Sequence, residues 1–227
     1  GPGRGYARIF QRASGAYRRL LSTTGRRMVK LYAFLGNHGR EHRGNRHNVA
    51  WQFLENLPFF GSLKWERGFR GRWASRETDG GRVWYLCPET YMNLSGDSVA
   101  ELMRFYKILP DELLAVHDEL ELMFGTVSLK RGGGLGGHNG LRSIRDRLST
   151  PDYLRFRFGI GRPDHDDVAG YVLQDFKAEE RHRLEDCVFP KAAELLAEIE
   201  RDGFDAAFAK NQKVNCLLEQ ELSSKVS

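Results

Sequence analysis

The sequence is poor in the residues that stabilise secreted and membrane proteins. Its 227 residues include only three cysteines, Cys87, Cys187 and Cys216. Their number is odd and their spacing fits neither a disulfide framework nor a zinc site, so they read as reduced packing thiols of a cytosolic protein. No apolar run approaches the ~18 residues of a membrane span, so no membrane partner is expected. A G-K-[ST] ending, which a P-loop needs, does not follow the glycine run. A serine nucleophile elbow is also missing. Residues 1–27 contain no acid at all. They carry Arg4, Arg8, Arg12, Arg18, Arg19, Arg26 and Arg27, and removing those seven charges from the net +5 leaves −2 for the rest. The global basicity is therefore no evidence of a nucleic-acid surface on the folded part, where any basic surface must be a local patch.

With 41% apolar residues the chain can bury a sizeable core and reads as one domain. Gly1-Pro2-Gly3 looks like a cloning scar. The basic stretch to residue 27 lacks the long apolar segment of a secretory signal. It is expected to lie outside the fold, as a transit-like segment or as sequence upstream of a true start at Met28. The domain is expected to span 28–220, with 221–227 as a tail.

Val29 to Leu35 reads as a buried strand that ends in the turn Gly36-Asn37-His38-Gly39. His47 and Asn48 open a helix with Val49, Phe53, Leu54 and Leu57 on one side, closed by Pro58. Two strand-like segments, 69–75 and 82–87, flank the hairpin residues Asp79-Gly80-Gly81. Ser95 is the expected N-cap of a helix carrying Val99, Leu102, Met103 and Tyr106. The continuous apolar run Leu113 to Val116 is a buried strand that delivers His117-Asp118-Glu119. Residues 154–160 alternate Arg155 and Arg157 with apolar neighbours, a strand with one polar face. A long helix is expected from about 178 to 201 with Gly203 as its stop, then a short one over about 204–215. Alternating strands and helices give an α/β fold: a single domain whose twisted, mixed, mostly parallel sheet has helices on both faces.

The most informative stretch is Lys130-Arg131-Gly132-Gly133-Gly134-Leu135-Gly136-Gly137-His138-Asn139-Gly140, read as a strand passing through a glycine-rich loop into a helix. Glycines allow positive φ and close approach of a ligand, and a helix start suits an anion. Gly132, Gly134 and Gly137 satisfy G-x-G-x-x-G. That pattern alone is weak, lies far into the chain, and has no use for His138-Asn139, so a dinucleotide-dependent oxidoreductase is the lesser reading. Polar groups after parallel strands gather on one rim of such a sheet. Asn37, Asn93 and Asp118 each follow a strand, His47 opens a helix, and His138-Asn139 end the loop. Singly, each would pass as a turn residue or a satisfied surface group. Their shared position is the signal.

These blocks carry a resemblance. Leu35-Gly36-Asn37-His38-Gly39, Arg46-His47-Asn48, Tyr91-Met92-Asn93-Leu94-Ser95-Gly96, Val116 to Leu120, Gly132 to Leu141 and Gly159-Ile160-Gly161-Arg162-Pro163 stand in the order and spacing of the bacterial-type peptidyl-tRNA hydrolases, from about Met28 to Asn215. The resemblance implies hydrolysis of the ester joining a peptide to the terminal ribose of tRNA. It further implies His47 as general base on water, Asp118 as its orienting carboxylate and Asn37 beside it. Asn93 and Asn139 would grip the peptide main chain, with Met92 as a wall, His138 on the tRNA-end side, and Asn211 (or Asn215) closing the cleft. Lys130 and Arg157 match tRNA-binding positions, and Arg131 and Arg155 are further candidates. No cofactor or metal is implied, although His47, His138 and Asp118 could mimic a ligand set. The expected partner is peptidyl-tRNA, through its acceptor end and the peptide main chain; the protein is expected to be a cytoplasmic monomer. His38, Met123 and Tyr91 depart from the family's usual residues. A non-catalytic RNA-binding relative would be expected to have lost the His47/Asp118 pair, and both are present.

Overall fold

The computed structural model describes residues 27–224; the segment 1–26 lies outside them. An eight-stranded sheet has the order β2-β3-β4-β1-β5-β7-β6-β8. Its strands are β1 Leu31–Phe34, β2 Glu66–Gly68, β3 Gly71–Thr78, β4 Gly81–Pro88, β5 Leu113–Glu119, β6 Thr126–Arg131, β7 Leu154–Gly159 and β8 Lys213–Asn215. The central strands β4, β1, β5 and β7 are parallel, and the flanking pairs are antiparallel. The helices are α1 Val49–Glu55, α2 Ser95–Tyr106, α3 Asn139–Leu148, α4 Val168–Val172, α5 Ala178–Arg183, α6 Phe189–Asp202, α7 Phe204–Lys210 and α8 Cys216–Ser224.

Period-2 alternation along the strands sorts side chains to two cores. Tyr32 and Phe34 join Phe53, Phe156, Phe158 and Phe189 on one face. Leu31, Ala33 and Leu35 join Val99, Leu102, Leu141 and Ile144 on the other. The second face is closed unusually tightly. A Cβ on Gly96 of α2 would sit 2.1 Å from the Ser143 carbonyl of α3, and the Gly96 N–H donates to Ser143 Oγ at 2.8 Å. Only glycine lets the two helix starts approach so closely.

Several local expectations change. Ser95 does not cap α2, because its hydroxyl turns back to the Met92 carbonyl. The long helix is divided: a π-helical turn, Leu184–Val188, separates α5 from α6 just ahead of Pro190, which has no N–H to continue the ladder. The final segment holds α7, the edge strand β8 and α8, so the expected tail at 221–224 is helical. The expected turn Asp79-Gly80 does join β3 to β4, where Thr78 faces Gly81.

The glycine-rich loop takes a different path from a strand-to-helix turn in a parallel sheet. Since β6 is antiparallel to β7, Arg131 lies opposite Leu154, at the amino end of the parallel strands. The chain must then cross the sheet face to begin α3 near the carboxyl end of β5. A dinucleotide fingerprint needs a parallel strand feeding its helix directly, so this geometry removes that reading.

Candidate active site

At the carboxyl end of β5, the Asp118 carboxylate is buried with both its oxygens engaged. His47 Nδ1 lies 2.9 Å from each oxygen, and His138 Nε2 lies 2.9 Å from Oδ1. The two imidazole centroids are 4.9 Å apart. Each ring's second nitrogen decides its state. His138 Nδ1 accepts the Gly140 and Leu141 N–H groups at 3.1 and 3.4 Å, which leaves the ring proton on Nε2, pointing at Asp118. The imidazole therefore caps α3, and two N–H groups expected to greet an anion are used internally. His47 directs Nδ1–H to Asp118, which leaves the lone pair of the neutral ring on Nε2.

Electrostatics follow from burial and the shared carboxylate. Burial lowers the His47 pKa, but the charge and hydrogen bond of Asp118 outweigh it, so the net shift is upward. Burial acts to raise the Asp118 pKa; the two imidazoles reverse that and hold it far below the ordinary carboxylate range. Behind them His117 is fully buried and edge-on to His138 at 5.2 Å. Burial first, and then the neighbouring His138, push its pKa well below the usual value, so it stays neutral, donating Nδ1–H to the Asp118 carbonyl at 2.7 Å.

Neighbouring elements fix the donors. Buried Asn48 accepts the Asn37 N–H at 2.8 Å and donates to the Asn37 carbonyl at 2.9 Å, locking the turn after β1 onto the His47 turn. Arg46, also buried, donates to the carbonyls of Gln174 and Asp175 and to Glu180, and its guanidinium covers the Tyr171 ring. Sequence reasoning assigned no positioning role to Asn48 or Arg46; their adjacency to His47 was the available signal. Met92 is buried, and its sulfur lies 2.7 Å from where a Gly140 Cβ would be, so α2 and α3 begin side by side. Asn93 and Asn139 are exposed at those two starts.

A cavity of about 320 Å³ opens over the cluster, lined by His47, Asp118, His138 and Asn139 together with Leu120, Leu135, Arg162 and helix α4. The helix was not foreseen; its signal was Asp167, whose carboxylate caps it through the Gly170 N–H. His47, Asp118 and His138 offer ligand atoms within 4.8 Å of one another, a donor set zinc could accept. Those atoms are already spanned by two N–H···O bonds, and a cation there would have to displace both protons.

Three expected site residues are placed elsewhere. Asn211 donates to Glu198 of α6 at 3.1 Å and lines a separate small cavity with Val127 and Val214, so it does not close the cleft. Asn215 lies in β8, and its side chain accepts the Leu218 N–H. Arg155 is 1% exposed and spends its donors on backbone carbonyls of Gly133, Gly134 and Pro151, so it cannot present itself to a phosphate. At Arg155 the expected polar face of β7 is roofed by the glycine-rich loop. Of the other cations, Arg131 pairs with Asp205 and covers Phe204. Arg157 donates to Ser128 Oγ at 2.9 Å and lies 3.9 Å from Glu119. The Lys130 pKa is lowered by partial burial and then by Arg157 and Arg155, a sign of concentrated positive charge.

The family model described as peptidyl-tRNA hydrolase matches residues 31–219. A protein of that name from Neisseria gonorrhoeae is 47% identical over 163 residues, covering 70% of this chain and 85% of its own. Another, from Treponema pallidum, is 49% identical over 168 residues, covering 72% and 81%. The crystal structure of peptidyl-tRNA hydrolase from Acinetobacter baumannii superposes with a TM-score of 0.76 at 33% identity, covering 83% of this chain and 97% of that one.

Proposed function

Because the chain belongs to the bacterial-type peptidyl-tRNA hydrolase family, a family of ester hydrolases acting on peptidyl-tRNA, we propose that it cleaves this ester through His47, with Asp118 as the orienting group. One observation carries this assignment: His47 Nδ1 lies 2.9 Å from both Asp118 oxygens, which favours the tautomer with its proton on Nδ1 and its lone pair on Nε2. In this reading Nε2 takes a proton from water as the water oxygen attacks the ester carbonyl. The resulting imidazolium is stabilised by Asp118 and returns its proton to the departing ribose oxygen, releasing tRNA and a peptide carboxylate. General-base catalysis of this kind typically contributes ~10²–10⁴-fold.

Asn37, Asn93 and Asn139 supply neutral donors and acceptors around the carbonyl. Such amides can support an oxyanion and hold peptide main chain without adding charge, so a site reading only main chain would accept any peptide sequence. Met92 walls the pocket. His138 braces Asp118 through Oδ1, which it shares with His47, and carries Asn139 at its helix start. Lys130 and Arg157 are the proposed phosphate contacts, giving salt-dependent affinity without base reading. The proposed working form is a cytoplasmic monomer; among the described residues no helix is long and apolar enough to cross a membrane.

The test is release of N-blocked aminoacyl groups from charged elongator tRNA by the wild type and by His47→Ala, with EDTA present. Release by the wild type alone supports a metal-independent esterase with His47 as base. Equal release by both removes His47 from that role. Binding of tRNA without release by either would make the protein a non-catalytic RNA binder.

A further inference from the structure

Arg155 has a position that neither tRNA binding nor core packing explains. It is among the largest fully buried side chains, and it donates to three backbone carbonyl oxygens. Two of these belong to the glycine-rich loop: Gly134 and Gly133, the latter at 3.1 Å. The third is Pro151, at 3.3 Å. Its Nε finds no partner. An incompletely satisfied buried guanidinium is an expensive way to stabilise a fold. The geometry points to a different use.

Besides Arg155, the loop is held by Leu135 packing on the second-face core and by bonds at its two ends. Gly132, Gly133, Gly136 and Gly137 have φ of 50, 85, 59 and 75°, a backbone that glycine adopts easily but that is costly to order. The loop must cross the sheet because β6 is antiparallel, and where it lands decides where His138 meets Asp118 and where Asn139 meets the cavity. Its first residue is pinned by Gly132 N–H to the Tyr153 carbonyl at 3.0 Å. Arg155 then fixes the next two peptides. Its guanidinium also lies 5.0 Å from the centroid of the Tyr153 ring, whose hydroxyl donates at 2.8 Å to the Leu141 carbonyl in the first turn of α3. Loop entry and helix start are thus tied to one another through Tyr153 and Arg155, two residues apart at the start of β7.

We infer that Arg155 is a positioning residue for ester hydrolysis: its buried fork fixes the glycine-rich loop so that His138 and Asn139 reach the Asp118 cluster. This rests on the proposed role of that cluster. A displacement of about 1 Å at such a site can cost ~10²-fold in rate, so kcat is where the effect belongs. Lysine in its place keeps the charge and loses the fork.

Arg155→Lys and Arg155→Gln are compared with wild type for release of N-blocked aminoacyl groups over a range of salt concentrations, together with amide hydrogen exchange. The expected result for both variants is kcat down by about 10²-fold, KM and its salt slope within twofold of wild type, and faster exchange confined to residues 133–141. A higher KM with a shallower salt slope at unchanged kcat would make Arg155 a phosphate contact and overturn the inference. Unchanged kinetics and exchange would also overturn it, as would variants that fail to fold, which would assign Arg155 to the core. The exchange readout does not depend on chemistry, so it decides the loop's anchoring even if His47→Ala retains activity and the reading of the site fails.

Discussion

His138 donates Nε2–H to Asp118 Oδ1 at 2.9 Å, the same oxygen that lies 2.9 Å from His47 Nδ1. One carboxylate thus carries two imidazoles, and the second also caps α3. Without His138, Asp118 would lose one of its two braces and α3 would lose its cap. His138→Ala is expected to lower kcat about tenfold and stability by about 1 kcal/mol, measured by steady-state hydrolysis and thermal unfolding. A change in KM alone would confine His138 to tRNA contact.

The pH profile follows from the signs of the shifts. The Asp118 carboxylate raises the His47 pKa above its usual 6.5, and the base works only when neutral. The acid limb of kcat/KM should therefore fall at a pH above 6.5. In Asp118→Asn the carboxylate is gone while burial, which favours the neutral ring, remains. The limb should move to lower pH, even as the plateau drops by ~10²–10⁴-fold from loss of orientation and of imidazolium stabilisation. A limb that stays in place would assign it to another group.

Two glycines separate packing from chemistry. At Gly96 a methyl group would collide with the Ser143 backbone, whereas at Gly134 it would meet nothing within 4 Å and φ is not positive. Gly96→Ala should lower stability by about 1–3 kcal/mol through overpacking, whereas Gly134→Ala should unfold like wild type. Chemical denaturation of both proteins checks this, and equal midpoints would show that α2 and α3 can part without loss.

How far the chain could be read depended on the range of each signal. The parallel strands were legible from buried runs such as Leu113 to Val116, and their ends placed His47, Asn37 and Asp118 on one rim. Strand direction at the sheet edge is set by pairing partners distant in sequence. Nothing local to Thr126–Arg131 states that it runs against Leu154–Gly159, and an arginine alternating with apolar residues looks the same whether solvent or a loop covers it. Arg155 was misread for that reason. Asn211 failed similarly: its partner, Glu198, lies on another helix.

The remaining cations differ in how far they are committed to internal partners, and that predicts unequal roles in tRNA binding. Partial burial and then Arg157 and Arg155 lower the Lys130 pKa, and Arg157, besides donating to Ser128 Oγ, faces Glu119 at 3.9 Å, a loose contact that a phosphate can displace. Arg131 instead holds Asp205 and covers the Phe204 ring on α7. Each phosphate contact removed should lower the slope of log affinity against log salt by about 1. Lys130→Ala and Arg157→Ala should each do so and raise KM at moderate salt, while Arg131→Ala keeps the wild-type slope. Filter binding of uncharged tRNA at several salt concentrations measures this directly, without involving the ester. Equal slopes for all four proteins would move the phosphate path off this face of β6 and β7. A loss for Arg131→Ala equal to the others would mean that tRNA displaces Asp205 from Arg131 on binding.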